Sequence, residues 1–135
     1  MKTREMLRAH PQQPPMNMEE LASCIEECLA CAQTCKTCAD ACLGEPQIDM
    51  LRDCVRLNLA CAAVCETTAW LMSMPGSMNM DLINAQMEAC VKACELCGTE
   101  CRRHAKYHEH CRICAEECER CAQVCRSVMS AGVSV

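Results

Sequence analysis

Between Cys24 and Cys42 the chain reads CIEECLACAQTCKTCADAC, six cysteines separated by steps of 4, 3, 4, 3 and 4 residues. Alternating steps of four and three keep a residue on one stripe of an α-helix, the stripe that a coiled coil fills with leucine. Here it holds Cys24, Cys28, Cys31, Cys35, Cys38 and Cys42. The pattern recurs in Cys54, Cys61 and Cys65, then in Cys90, Cys94, Cys97 and Cys101, and finally in Cys111, Cys114, Cys118, Cys121 and Cys125.

Helix punctuation separates these four groups. Asn17, with Glu20 three residues on and Pro14-Pro15 before it, forms a capping box, and Gly44 with Pro46 is a stop. The first long helix is therefore predicted over 18–43 and the second over 46–73, from Pro46 to just before Pro75-Gly76. A third runs over 79–105 and a fourth over 109–129. Their boundary lacks Gly and Pro, but the seam Cys101, His104, His108, Cys111 loses its phase at the three-residue step to Cys114. Helices of about 25 residues are ~38 Å long. Short connections make neighbours antiparallel, so the expected fold is all-α: an up-down-up-down four-helix bundle with a cysteine-lined core. Residues 1–16 form an extension of this single domain, with room for a short helix before Pro11.

Composition explains why the stripe matters. Leu, Ile, Val and Phe together make up about a sixth of the 135 residues, whereas Cys alone supplies 18. A net charge of only -5 and abundant Ala argue against disorder. MKTREMLRAHPQQPP has no apolar run resembling a secretory signal, and no stretch is long enough for a membrane span. The expected setting is the cytosol, where thiols stay reduced and cysteine clusters signal metal or catalysis. The mild acidity gives no reason to expect nucleic acid.

A lone buried cysteine packs as a small, inert hydrophobe. Eighteen on one stripe are too many for that role, and thiols smaller than leucine would leave a poorly filled channel. Disulfides within a helix are disfavoured, because i,i+4 Cβ atoms lie about 5–6 Å apart where the bond needs about 3.8 Å. Metal is the remaining filler. Eight Cys-x-x-x-Cys pairs suit the linear or trigonal thiolate coordination of Cu(I); tetrahedral zinc needs four sulfurs converging at each site. One Cu(I) per thiolate also leaves the core neutral, with a proton released as each thiolate forms.

The ends of the seam differ. At one end the residues in phase are Met18, Leu21, Thr68, Met72, Ile83, Met87, Val128 and Met129, with Trp70, Met74, Met78 and Met80 nearby. They read as an apolar plug, with thioether copper sites as the alternative. The other end carries His104 and His108, with His110 adjacent: a polar turn, or ligands that pass copper inward. Arg102, Arg103, Lys106 and Arg112 surround that mouth, a solvated charge run that could also attract an acidic carrier protein or anionic thiol–copper complexes. Asn58 interrupts the second stripe, as a register-setting polar residue or an oxygen ligand.

These Cys-x-x-x-Cys ladders, the missing signal and the histidine-bearing turn from His104 to His110 make the chain resemble the bacterial cytosolic copper storage proteins over nearly its whole length. The resemblance implies a homotetramer of bundles, each storing many Cu(I) ions along its interior, filled from one end and without catalysis. The second helix departs from a full ladder, having three cysteines. A zinc or iron–sulfur protein is the alternative, although the Cys-Pro ending of ferredoxin-type ligation is missing. A di-iron enzyme would need Glu-x-x-His pairs, which do not occur on an inward face. A thiol redox enzyme would need an exposed, acidic thiol with a resolving partner rather than a buried ladder.

Overall fold

The computed structural model describes residues 1–129; residues 130–135 of the predicted single domain lie outside the described residues. Five α-helices and one 3₁₀ turn make up its regular structure, and among the described residues there is no strand. The helices are α1 (Thr3–Ala9), α2 (Met18–Leu43), α3 (Ile48–Met72), α4 (Met80–His104) and α5 (Glu109–Val128). The four long ones touch in a closed cycle, α2 to α3 to α4 to α5 and back to α2, while α1 packs on α2.

Local chemistry sets the helix ends. Asn17 Oδ1 accepts the Glu20 N–H at 3.0 Å, and Asn79 Oδ1 accepts that of Leu82 at 3.1 Å, each satisfying an orphan donor of a first turn. Helix α3 begins at Ile48, two residues later than predicted, because Glu45, Pro46 and Gln47 form the turn instead of the first helical residues. Helix α1 is fixed by Leu7, which is buried, and by Arg4, which donates to Glu19 at 2.8 Å and to Glu26 at 2.6 Å.

Partner sulfurs reveal how the helices run. Cys28, Cys35 and Cys42 of α2 face Cys125, Cys118 and Cys111 of α5, so numbers rise on one helix as they fall on the other. Cys54, Cys61 and Cys65 of α3 face Cys101, Cys94 and Cys90 of α4 in the same opposed sense. The diagonal contacts Cys28–Cys90 and Cys35–Cys97 rise together on α2 and α4.

The core departs from the expected half-empty channel. Neighbouring sulfurs lie 3.6–4.0 Å apart, which is direct contact. The helices come close enough for this because alanines flank the stripe: Ala32, Ala39, Ala62, Ala69, Ala115 and Ala122 are all buried. Gly98 extends the same effect, since a Cβ there would lie 3.3 Å from Cβ of Cys118. At the methionine end, Leu21, Met72, Ile83, Met87 and Val128 are buried and close the bundle as an apolar plug. Met18, Met78, Met80 and Met129 pack against it half-buried. Trp70 and Met74 do not join; Trp70 is 71% exposed on the outer face of α3.

Candidate metal centre

All eighteen cysteines are buried and all are free thiols. Their grouping was not apparent from the intrahelical pairs. Within one helix, Cys31–Cys35 at 4.0 Å and Cys61–Cys65 at 3.9 Å are in contact, but most sulfur contacts join different helices. The sulfurs form four-membered groups whose members all lie within 4.8 Å of one another. Cys31, Cys65, Cys94 and Cys121 form one such group, with a single thiol from each long helix. Others are Cys28, Cys90, Cys121 and Cys125; Cys31, Cys35, Cys61 and Cys118; Cys35, Cys97, Cys114 and Cys118; and Cys38, Cys42, Cys54 and Cys111. The convergence of four sulfurs that tetrahedral zinc needs is therefore present as well. One stripe supplies only one or two sulfurs at a given height, but four inward stripes meet there.

Neighbouring groups share members. Cys31, Cys35, Cys118 and Cys121 each belong to two of those named, so four of the five groups form one continuous stack, while Cys38, Cys42, Cys54 and Cys111, beside the histidines, share no member with them. Thiol hydrogen bonds divide it into acidic and basic members. Cys54 is lowered to about 4 by bonds with Cys101 and Cys111, against the effect of burial. Cys24 is lowered to about 5 by Cys125 and Cys28. Cys101 is pushed above the ordinary thiol range by Cys114, Cys38 and Cys54, which favour its protonated form.

Asn58 is fully buried inside the stack. Its Oδ1 accepts S–H from Cys97 at 3.1 Å, Cys114 at 3.3 Å and Cys101 at 3.4 Å, and its Nδ2 donates to Cys54 at 3.8 Å. One amide thus ties α3 to α4 and α5.

The three histidines lie at one end of the sulfur stack in unequal arrangements. His110 reaches the sulfurs, with Nδ1 3.5 Å from Cys38 and 3.6 Å from Cys111, although the seam pattern had favoured His104 and His108. A phase break at the turn rotates the start of α5, so the residue beside Cys111 faces inward. His108 Nδ1 donates to Glu45 Oε2 at 3.1 Å, and His110 Nε2 donates to the same oxygen at 2.8 Å. His104 Nε2 donates to Glu100 at 3.0 Å. All three line a cavity of about 760 Å³ together with Met50, Tyr107 and Glu109. Burial disfavours a charge on His110, but Cys38 and Glu45 outweigh it and raise its pKa; the His110 hydrogen bond in turn lowers that of Glu45.

The arginines of the rim are largely engaged by acids. Arg102 forms a two-pronged pair with Glu119, Arg103 pairs with Glu100, and Arg112 joins Glu109 and Glu116. Lys106 lies over the Tyr107 ring. Glu45 was missed by sequence reasoning because it sits in a turn, outside any periodic stripe. Its one signal is topological: the antiparallel order expected from the short connections would put the α2–α3 turn beside the histidine-bearing α4–α5 turn.

Comparison with known proteins agrees with this architecture. The solved copper storage protein Ccsp from Streptomyces lividans, loaded with 10 copper equivalents, is 43% identical, with a TM-score of 0.93 over 96% of this chain and 98% of that one. A five-copper structure from the same organism is of a cytosolic copper storage protein. The Cu(I)-bound copper storage protein BsCsp3 is 35% identical, with a TM-score of 0.72 over 81% of this chain and 97% of that one. A 39-residue stretch is 51% identical to the cysteine-rich protein YhjQ of Bacillus subtilis, covering 29% of this chain and spanning about a third of that protein (34%). The profile of the Csp family, described as copper storage protein, matches residues 17–130. The chain belongs to the copper storage protein family.

Proposed function

We propose that this protein stores Cu(I) in the cytosol, holding about one ion per thiolate along the core of a single antiparallel up-down-up-down four-helix bundle. All eighteen cysteines serve as ligands, and His104, His108 and His110 form the mouth through which copper comes in. The protein performs no catalysis. It assembles as a homotetramer and takes copper from carrier proteins or small thiols.

The observation that carries this reading is the sharing of sulfurs between adjacent four-thiol groups. Distance alone admits zinc: a tetrahedral ZnS₄ unit with 2.3 Å bonds has S–S edges of about 3.8 Å, close to the contacts seen. Sharing decides between the metals. A discrete zinc site on Cys31, Cys35, Cys61 and Cys118 would strip ligands from the groups on either side, whereas a thiolate bridging two Cu(I) ions serves both. Each added Cu(I) also neutralises one thiolate, which a buried stack requires.

Anaerobic titration with Cu(I) against a competing chelator tests the proposal. About 18 equivalents per chain are expected in colourless protein, falling by about two in the Cys31→Ser/Cys35→Ser double variant. A mass spectrum of fully loaded protein with only four or five ions would contradict it, and an absorption band above about 400 nm in freshly purified protein would favour iron–sulfur ligation.

A further inference from the structure

We propose that Glu45 is the positioning residue of the copper mouth: one carboxylate oxygen sets complementary tautomers on His108 and His110, giving an outer and an inner nitrogen for stepwise transfer of Cu(I) to Cys38 and Cys111. The inference rests on the storage reading above.

The geometry fixes which nitrogens carry protons. Glu45 Oε2 only accepts, so both nitrogens that point at it are N–H groups. In the neutral ring of His110 the proton is on Nε2 and the lone pair on Nδ1, the atom 3.5 Å from Cys38 and 3.6 Å from Cys111. In neutral His108 the proton is on Nδ1, leaving the lone pair on Nε2. That atom has no hydrogen-bond partner among the described residues, and the ring lines the mouth cavity. The ring centroids are 5.5 Å apart at an interplanar angle of 31°, so the two imidazoles are immediate neighbours.

His108 is the informative ring. A neutral imidazole in water prefers the proton on Nε2, so the Nδ1–H form of His108 needs the acceptor that Glu45 supplies. A carboxylate behind a ligating histidine also fixes ring orientation and makes the opposite nitrogen a better donor. Glu45 is suited to the task by its turn. Gly44 closes α2 before it, and Pro46 after it restricts its backbone to extended conformations, so the carboxylate is presented with little freedom.

Two measurements on the full chain test this. In metal-free protein, ¹⁵N spectra of the ring nitrogens should show His108 as Nδ1–H and His110 as Nε2–H; in Glu45→Ala, His108 should revert to Nε2–H. Stopped-flow mixing with a Cu(I)-chelate donor should show initial uptake slowed about 10- to 100-fold in Glu45→Ala, with the final equivalents bound unchanged. Glu45→Gln, which keeps a carbonyl acceptor at similar reach, should fall between the two. If Glu45 merely ties two turns together, its removal lowers the unfolding midpoint but leaves His108 as Nδ1–H or leaves uptake at the wild-type rate; either result overturns the inference. A wild-type protein whose thiols take up no Cu(I) would overturn the storage reading itself. Normal thiol loading at full speed in Glu45→Ala would overturn only the role of Glu45.

Discussion

Asn58 stands where a further cysteine would continue the stripe of α3 between Cys54 and Cys61. Its carbonyl oxygen is the acceptor for three thiols on two other helices, so deleting it leaves three buried S–H groups with only weak sulfur acceptors at once. Leaving a buried donor unsatisfied costs about 1–3 kcal/mol, and less for a weak donor such as a thiol. Asn58→Ala should therefore destabilise the metal-free protein by about 1–3 kcal/mol, read as a lower urea midpoint under reducing conditions. Its Cu(I) capacity should stay within one ion of the wild type, because every sulfur remains. That Asn58 faces inward was readable from its in-phase position. Its three partners were not, since they depend on the relative heights of α3, α4 and α5, which spacing within one helix does not encode.

Between elements, the seam of α2 with α5 carries an unusual carboxylate pair. Glu27 accepts from Arg120 at 3.1 Å, yet Glu27 Oε1 and Glu117 Oε2 are sealed from water without a hydrogen-bond partner among the described residues. Burial, and the Glu27 carboxylate beside it, push Glu117 up to about 8. The folded state thus binds this proton more tightly than the unfolded chain, where a glutamate titrates near 4.5. The resulting stability is fully present below about pH 4.5 and is lost as pH rises through about 8. Urea unfolding of the metal-free protein should show a larger loss of stability from pH 6 to pH 9 in the wild type than in Glu117→Gln. The excess should be on the order of 1–2 kcal/mol, below the full linkage value because Glu117 is only partly buried. Thiol ionisation affects both proteins alike and cancels in the difference. At this scale the sequence was most legible where local chemistry decides, as in the Asn17 cap, and where the seam loses phase at the α4–α5 turn. It was least legible in turns, where Pro46 shifted the start of α3 and Glu45 found its partners, His108 and His110, at the α4–α5 turn.

For the whole molecule, the decisive quantity is the charge that loading adds. Metal-free thiols already pack in contact at 3.6–4.0 Å, so the bundle has a complete core before any ion arrives. Helical circular dichroism at 25 °C should be nearly the same with and without metal. Copper then adds stability by mass action, about 2.7 kcal/mol for a site at a free ion concentration 100-fold above its dissociation constant. Replacing a thiol proton with Cu(I) exchanges one positive charge for another, so each ion entering at a protonated thiol leaves the net charge unchanged; only at the acidic thiols, such as Cys54 and Cys24, does an ion enter without releasing a proton. Zinc behaves differently: each four-thiolate site releases four protons, gains two charges and leaves the molecule two units more negative. Native electrophoresis during anaerobic loading should therefore show nearly constant mobility with Cu(I), accompanied by close to one proton released per ion at the protonated thiols in weakly buffered solution. With Zn(II) the same protein should migrate stepwise faster toward the anode. If copper-loaded protein also gained mobility in steps, its sites would be discrete anionic clusters, and the neutral, continuously bridged core would be untenable.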